Sequence, residues 1–281
     1  MRSPRRPFFR KSPHMKRSAC LFTVVGALCA TPVLAASSAT ATLGPLMLEL
    51  VDLDLGDGIA PSVTFLDNNS IVGAGVSRGG IGDSNQGVGA SAFDPGSVSA
   101  LLAGVQSTAF IGGSGTAFGS SFTASGSAAD FIGPVGDSAR FVAQASTPIG
   151  GGIGIFVLSA QTQLTISASA TITAQGTGAS GNPSPGGDNV SANVYISLTA
   201  DSDALDYFNS SDGLTGFDFS ETRTLSVTAF NPTAADLLVR YGISTSVSGD
   251  TFASAVPEPA AAVTLRTGLA ALSVYARRRR G

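Results

Sequence analysis

The 281-residue chain contains 16 lysines and arginines against 19 aspartates and glutamates, which gives a net charge of −3. The charges are unevenly distributed, because residues 36–255 carry 18 of the acids, no lysine and only four arginines (Arg78, Arg140, Arg223 and Arg240), a net charge of −14. This stretch also lacks cysteine, histidine and tryptophan. Its composition therefore excludes a disulfide scaffold, the usual zinc, copper or iron sites and histidine-based catalysis, and its acidity argues against nucleic acid as a partner.

Residues 1–35 are typical of an export signal peptide. Met15-Lys16-Arg17 supplies a basic start, residues 19–30 form a short apolar core, and Val33-Leu34-Ala35 has the small residues of a cleavage site. We expect cleavage after Ala35 or Ala36. Met15 is an alternative start of translation.

Two export routes remain open for this signal. The basic start and short apolar core favour the general secretory (Sec) route. Arg5-Arg6-Pro7-Phe8-Phe9-Arg10 is similar to a twin-arginine (Tat) motif, although a long polar insert separates it from the apolar core.

The segment from Leu46 to Leu55 alternates between apolar and polar residues, but its phase slips. Leu46, Leu48 and Leu50 share one parity, whereas Val51 and the following leucines take the other. Such a slip predicts a β-bulge or a corner where a strand changes sheet.

Residues 73–119 form a glycine-rich stretch, with 13 glycines in 47 positions. We interpret it as a low-complexity loop with short strands anchored by phenylalanine. Ser97 to Val105 is the one part of the body with some helical periodicity.

Four later segments predict strands with one buried face, because their apolar residues recur at every second position. These segments are Gln163–Ala174, Val190–Ala200, Arg223–Phe230 and Val239–Val247. Gly176 to Asp188, rich in glycine and proline, is a predicted loop. We therefore expect an all-β fold for residues 36–255, an antiparallel β-sandwich of jelly-roll type with about eight to ten strands and Gly/Ser-rich loops.

Two acidic clusters are candidate calcium sites, because Asp-x-Asp spacing near glycine supplies oxygen ligands. The stronger candidate is Asp201, Asp203 and Asp206; the other contains Glu49, Asp52, Asp54 and Asp57. The alternative interpretation is that these carboxylates cap turns and face solvent.

Exposed aromatic residues are candidate platforms for sugars. Tyr207-Phe208 and the pair Phe217 and Phe219 are the candidates, although the phenylalanines also fit a role in core packing. A glycosidase would need two suitably spaced carboxylates. The body offers Glu49 and Glu221 as its only glutamates, so we do not expect an enzyme.

The last 26 residues are organised in three parts. Val256, Pro257, Glu258 and Pro259 come first, residues 260–276 form a mostly apolar run, and Arg277, Arg278, Arg279 and Arg280 precede the final glycine. The run predicts a single membrane helix that begins after the prolines and keeps the arginine cluster cytoplasmic. Arg266 interrupts the apolar run.

This tail resembles the PEP-CTERM sorting signal of Gram-negative bacteria, and Arg266 departs from the usual pattern. The resemblance covers only residues 256–281, about a tenth of the chain. It implies that exosortase, a membrane transpeptidase, recognises and cleaves the tail. Transient anchoring in the inner membrane would then precede delivery to the cell surface or extracellular matrix.

The resemblance also implies a context of exopolysaccharide and biofilm. We therefore expect a non-enzymatic, structural surface or matrix protein that presents a polar, Ser/Thr-rich surface. The alternative is a carbohydrate-binding or adhesive module, with or without dependence on calcium. Extracellular polysaccharide is the expected partner of the body, beside exosortase and the export machinery.

Overall fold

The computed structural model describes residues 36–66, 69–129, 131–134, 137–148, 154–176, 189–199, 203–212, 217–252 and 254–255. The predicted signal peptide, the loop at 177–188 and the sorting tail from Val256 to Gly281 lie outside these residues. In the described part, the chain is all-β, with seventeen strands and no helix.

Seventeen strands follow one another along the described chain. They are β1 (Ala36–Leu43), β2 (Met47–Asp52), β3 (Val63–Phe65), β4 (Ser70–Arg78), β5 (Ile81–Gly89), β6 (Gly96–Leu102), β7 (Val105–Gly112), β8 (Ser121–Ala129), β9 (Ile132–Gly133), β10 (Ser138–Thr147), β11 (Gly154–Leu158), β12 (Thr162–Gly176), β13 (Asn189–Thr199), β14 (Asp203–Asp212), β15 (Phe217–Asn231), β16 (Leu237–Phe252) and β17 (Ser254–Ala255).

Two antiparallel sheets contain all but two of the described strands. Sheet 1 has seven strands in the order β15-β12-β1-β8-β7-β6, with β2 also paired to β12. Sheet 2 has eight strands in the order β14-β13-β16-β10-β4-β5, with β11 beside β16 and β3 beside β11. The short β9 and β17 form a separate parallel pair.

Each sheet is six strand positions wide. One position in sheet 1 and two positions in sheet 2 are each occupied by two consecutive strands placed end to end. β1 and β2 both run along β12, so that Leu43 pairs with Ala170 and Met47 with Ser167. β10 and β11 both run along β16, and β4 and β3 run beside them. These interruptions account for part of the excess over the eight to ten strands that we predicted; the remainder comes mainly from strands in the glycine-rich stretch and from the short β9–β17 pair.

The prediction of one-sided strands is confirmed in four places. Alternate residues of β12 are buried from Thr162 to Gly176, and those of β13 are buried from Val190 to Leu198. Leu225 and Val227 point inward from β15, as do Val239, Tyr241, Ile243 and Val247 from β16. Side chains of successive strand residues point to opposite faces, so the inner faces of the two sheets form one hydrophobic core.

The loop interpretation of residues 73–119 is wrong, since most of this stretch lies in β4 to β7. Val72, Ala74 and Val76 of β4 are buried, whereas the glycines between them face outward. Glycine here occupies the solvent side of a regular strand, a position that composition alone does not reveal. Ser97 to Val105 is likewise extended, as β6 and the turn into β7.

The phase slip between Leu46 and Leu55 has a different cause from the predicted bulge. β2 pairs with β12 without interruption from Met47 to Asp52, and the break in the edge lies earlier, at residues 44–46. Leu53 and Leu55 follow the end of β2 and are exposed. The change of parity therefore marks the end of the strand.

Phe141 of β10 occupies the space that two glycines leave in the core. It is fully buried, pairs in register with Gly249 of β16, and faces Gly126 of β8 in the opposite sheet. A Cβ atom would lie 2.1 Å from the Phe141 ring at Gly126 and 2.4 Å from it at Gly249. The ring therefore requires glycine at both positions.

Polar contacts also connect the two sheets. In the interior, Ser37 Oγ and Thr251 Oγ1 are 2.6 Å apart, and Ser107 Oγ donates to the Gly75 carbonyl at 3.1 Å. At one open edge, the Asn85 amide of β5 donates to the Ser99 carbonyl of β6. Such bonds satisfy polar groups that would otherwise be buried without a partner.

We predict that Gly126→Ala lowers the free energy of unfolding by about 1–3 kcal/mol, because the new methyl group overpacks the core against Phe141. Chemical denaturation measures this directly. Gly73→Ala is the matched control, since a Cβ at this outward strand glycine has no atom within 4 Å, and its stability should stay close to that of the unchanged chain.

A double-mutant cycle tests whether the Phe141 ring causes the loss of stability in Gly126→Ala. In a Phe141→Leu background the same Gly126→Ala change should cost clearly less, since the smaller side chain leaves room. An equal cost in both backgrounds would contradict the assigned contact.

Candidate functional site

An open trough of about 690 Å³ runs across the outer face of sheet 2. Its walls and floor come from β5, β4, β10, β16 and β13, so it crosses the strands instead of following one of them. Neighbouring strands are about 4.8 Å apart, and the five spacings of this sheet give the face a width of about 24 Å.

The register of sheet 2 aligns one residue from each of its six strand positions in a row, five of them polar and one glycine; five of the six line the trough, and Asn209 of β14 continues the row beyond it. Gln86 pairs with Gly73, Gly73 with Gln144, and Gln144 with Ser246. The same row continues from Ser246 to Asn193 and from Asn193 to Asn209. We call this row of six the amide row: Gln86, Gly73, Gln144, Ser246, Asn193 and Asn209.

A second row lies two residues further along each strand and is made of small side chains. We call it the serine row; its members, which follow one another in register, are Ser84, Gly75, Val142, Ser248 and Ser191. Ser191 Oγ and Ser248 Oγ are 2.8 Å apart and share a hydrogen bond. Because these side chains are short, they project little from the outer face of sheet 2.

Glycine determines the depth of the trough. A Cβ at Gly73 has no atom within 4 Å, whereas one at Gly75 would lie 3.2 Å from Val142 Cγ2. Gly73 lies between Gln86 and Gln144 in the amide row, so the space that it leaves is open and has an amide on either side.

The described residues that line the trough include no charged side chain. Glutamine and asparagine amides each offer two N–H donors and a carbonyl acceptor, and serine offers both functions in one hydroxyl. Gln144 Nε2 lies 3.5 Å from Ser146 Oγ. The trough can therefore exchange hydrogen bonds in both directions with a neutral, hydroxyl-rich ligand.

An exposed apolar surface adjoins one end of the trough. Tyr195 and Tyr207 are directly paired between β13 and β14, and Leu205 lies next to them. Tyr207 is 55% exposed and Leu205 61% exposed. This tyrosine patch (Tyr195, Leu205 and Tyr207) borders a cavity of about 510 Å³ that also has Asn193 and Ser246 in its lining.

Tyr195 remains uncharged at neutral pH. Burial raises the pKa of its phenol above the ordinary value, because a buried phenolate loses hydration.

A charged pair lies on the other side of the serine row. Arg140 of β10 and Asp250 of β16 pair in register, with 3.7 Å between Nε and Oδ1. Burial raises the pKa of Asp250, and the Arg140 guanidinium opposes this shift. The trough is therefore bordered by the tyrosine patch at one end and by the ion pair beyond the serine row.

Asp206, which we had proposed as a calcium ligand, connects the two sheets at their other open edge. Its Oδ1 accepts a hydrogen bond from Arg223 Nη2 at 3.0 Å, and its Oδ2 accepts one from the Ser226 amide at 2.9 Å. Arg223 also lies over the Phe208 ring, 4.9 Å from its centre. Asp201 lies outside the described residues, and the side chain of Asp203 is not described.

In the other acidic cluster, the three aspartates cap a turn. Asp52 Oδ1 accepts from the Asp54 amide at 2.9 Å, Asp54 Oδ1 from the Gly56 amide at 3.0 Å, and Asp57 Oδ1 from the Ile59 amide at 2.7 Å. Within the described ranges, no three histidine, cysteine, aspartate or glutamate side chains come close enough together to hold a metal ion.

The candidate aromatic platforms divide between surface and core. Tyr207 is exposed, whereas Phe208 is buried and packs against Phe219 with 6.2 Å between ring centres. The side chain of Phe217 is not described. Tyr195 was missed as a platform, although its place on the polar face of the predicted strand 190–200 was a usable signal.

The other trough residues were missed for a different reason. Gly73 and Gln86 lie in the stretch that we interpreted as loop, and Gln144 lies in β10, a strand that we did not predict. Their juxtaposition follows from pairing between distant segments.

No protein-family model matches this chain, and no curated protein matches it significantly. Among the described residues, no helix is long and apolar enough to span a membrane.

We predict that Asp206→Asn lowers the free energy of unfolding by about 1 kcal/mol, because the contact with Arg223 loses its charge. Thermal unfolding with and without a chelator distinguishes this role from calcium binding. If Asp206 only connects the sheets, the chelator should leave the melting temperature of the unchanged chain unaltered. A calcium ligand would instead produce a chelator-dependent fall that the variant lacks.

Proposed function

We propose that this chain is an exported, non-enzymatic protein of the cell surface or extracellular matrix, and that its sandwich binds extracellular polysaccharide through the trough. The observation that carries this proposal is the amide row, with the tyrosine patch at its end. Sugars present hydroxyl groups at their edges and C–H groups on their ring faces. Amides and serines suit the hydroxyl groups, and the exposed ring of Tyr207 suits the ring faces.

The non-enzymatic part of the proposal is supported by the lining of the trough. Glycoside hydrolysis requires two carboxyl groups on either side of the scissile bond. In the described part of the chain, the trough is lined by amides, hydroxyls, glycines and aliphatic groups, without a carboxylate. Binding is a function that such a set of groups can perform.

The outer face of sheet 1 supports a structural role beside binding. One registered row across its six strand positions consists entirely of hydroxyl residues. The row is Ser220, Thr173, Thr40, Ser125, Thr108 and Ser99. A face of this kind is well hydrated and suits a protein embedded in a polysaccharide matrix.

The proposal includes the fold at finer detail, as a jelly-roll-like sandwich. Its support is the path of the chain between β8 and β16, which crosses repeatedly from one sheet to the other. Such alternation is typical of double-sheet Greek-key folds.

Sorting is proposed on the sequence of the two ends. A signal peptide cleaved after Ala35 or Ala36, by the Sec route with Tat as the alternative, would leave β1 almost intact, since this strand begins at Ala36. Exosortase would then recognise Val256 to Pro259, with residues 260–276 as a transient anchor in the inner membrane and Arg277 to Arg280 on its cytoplasmic side.

We predict that Tyr207→Ala weakens binding of the purified body to polysaccharide from the extracellular matrix of the source organism by about tenfold, which corresponds to about 1.4 kcal/mol. Affinity electrophoresis measures the effect. Phe230→Ala is the matched control, since Phe230 is 53% exposed and lies on the outer face of sheet 1; it should bind like the unchanged chain. Equal loss in both variants would contradict the trough as the binding surface.

We predict that replacing Pro257-Glu258-Pro259 by three alanines abolishes processing of the tail. Intact-mass analysis of the protein recovered from envelope and medium should find the unchanged chain without Arg277 to Arg280, and the variant with them. Arg266→Leu serves as the control, because it leaves the motif in place and should still be processed. Retention of the arginines in the unchanged chain would mean that the tail is a plain membrane anchor.

A further inference from the structure

We infer that the trough selects uncharged polysaccharide chains and rejects chains rich in uronic acid or other anionic groups. This inference rests on the proposed function and specifies the class of its ligand. It also places the chain across the strands, along the amide row.

The first argument is the absence of a cation where an anionic sugar would need one. Burial of a carboxylate in a protein groove is unfavourable unless a charged or strongly donating partner compensates for its lost hydration. The described lining of the trough offers amides, hydroxyls and aliphatic groups only. A neutral chain loses less hydration and can satisfy its hydroxyls on these groups.

The second argument concerns the nearest cation. Arg140 lies one row beyond the serine row, and Asp250 pairs with it at 3.7 Å. The Asp250 carboxylate offsets the charge of this cation, although the Arg140 side chain is 59% exposed. The ion pair therefore borders the trough without providing an anion site within it.

The third argument is the geometry of the binding surface. The amide row supplies donors and acceptors from adjacent strands about 4.8 Å apart, except at Gly73, where Gln86 and Gln144 are separated by two strand spacings. Gly73 lowers the floor between Gln86 and Gln144, so that a chain running along the row has space over this position, with an amide on either side of it. The tyrosine patch at the far end then offers ring faces, with Tyr195 held in its neutral form.

The overall charge of the body acts in the same direction, since residues 36–255 carry a net charge of −14. Long-range repulsion is screened by salt, because the Debye length falls from about 10 Å at 0.1 M to about 3 Å at 1 M. Selectivity that comes from the trough itself should persist at high salt, whereas selectivity from net charge should disappear.

The test compares matched fractions of one material. Extracellular polysaccharide from the source organism is separated on an anion exchanger into uncharged and anionic fractions, and each is cast into native gels with the exported body, residues 36–255. We expect the uncharged fraction to retard the body at least about tenfold more strongly per unit mass than the anionic fraction. In binding experiments by calorimetry, the preference should remain at about 0.5 M salt.

A pair of variants locates the origin of the preference. Gln144→Lys introduces a cation in the amide row and should raise affinity for the anionic fraction by about tenfold or more. Thr108→Lys changes the net charge equally but lies on the outer face of sheet 1, so it should leave the affinity for both fractions unchanged.

The outcomes separate the two proposals. Equal or stronger binding of the anionic fraction would overturn the ligand class and leave polysaccharide binding in place. Loss of the preference at high salt, or an equal gain in both lysine variants, would assign the preference to net charge and overturn the role of the trough in selection. Failure of both fractions to bind would overturn the proposed function itself.

Discussion

The fold depends on close packing between two sheets whose inner faces consist largely of small residues. Alanine is the commonest buried apolar residue in the described chain, and where a large ring enters, as Phe141 does, glycine occupies the facing and the neighbouring strand positions. Because strand side chains alternate between faces, this arrangement places the polar half of each strand outside. A one-residue shift in register would exchange the two halves, so the same packing that fixes the core also fixes the composition of both outer faces.

The outer faces of the two sheets differ in surface relief, and a few residues cause this difference. On sheet 1 the exposed positions are mainly serine and threonine of similar length, which gives a hydroxyl surface of low relief. On sheet 2, Gly73 and Gly75 lie among longer amides and tyrosines, so the surface sinks into a trough. Hydrogen bonds such as those of Asp206 at the β14–β15 edge and Asn85 at the β5–β6 edge join the sheets where they would otherwise open. Asp52, Asp54, Asp57 and Asp206 thus have hydrogen-bond partners within the fold.

Sequence reasoning recovered the strands whose inner residues are large, and it failed where they are small. The alternation of leucine, isoleucine and valine in β12, β13 and β16 predicts both the strand and its buried face. In β4 and β7 the same alternation is carried largely by alanine, valine, serine and glycine, whose hydropathy contrast is weak, and β5 has no fully buried residue, so the stretch was interpreted as a loop. The candidate site was only partly predictable for a related reason. Tyr207 was identified as a surface aromatic residue, but the amide row joins six strands that are distant in the chain, and its existence depends on pairing register.

The central claim is that polysaccharide occupies the trough, and side-chain amide resonances test it most directly. In a titration of the isotope-labelled body with matrix polysaccharide, the NH₂ signals of Gln86, Gln144, Asn193 and Asn209 should shift together, while those of Gln106, Gln163 and Gln175 on sheet 1 remain in place. Shifts confined to the sheet 1 glutamines, or unchanged amide signals at a polysaccharide concentration that retards the protein in gels, would contradict the account.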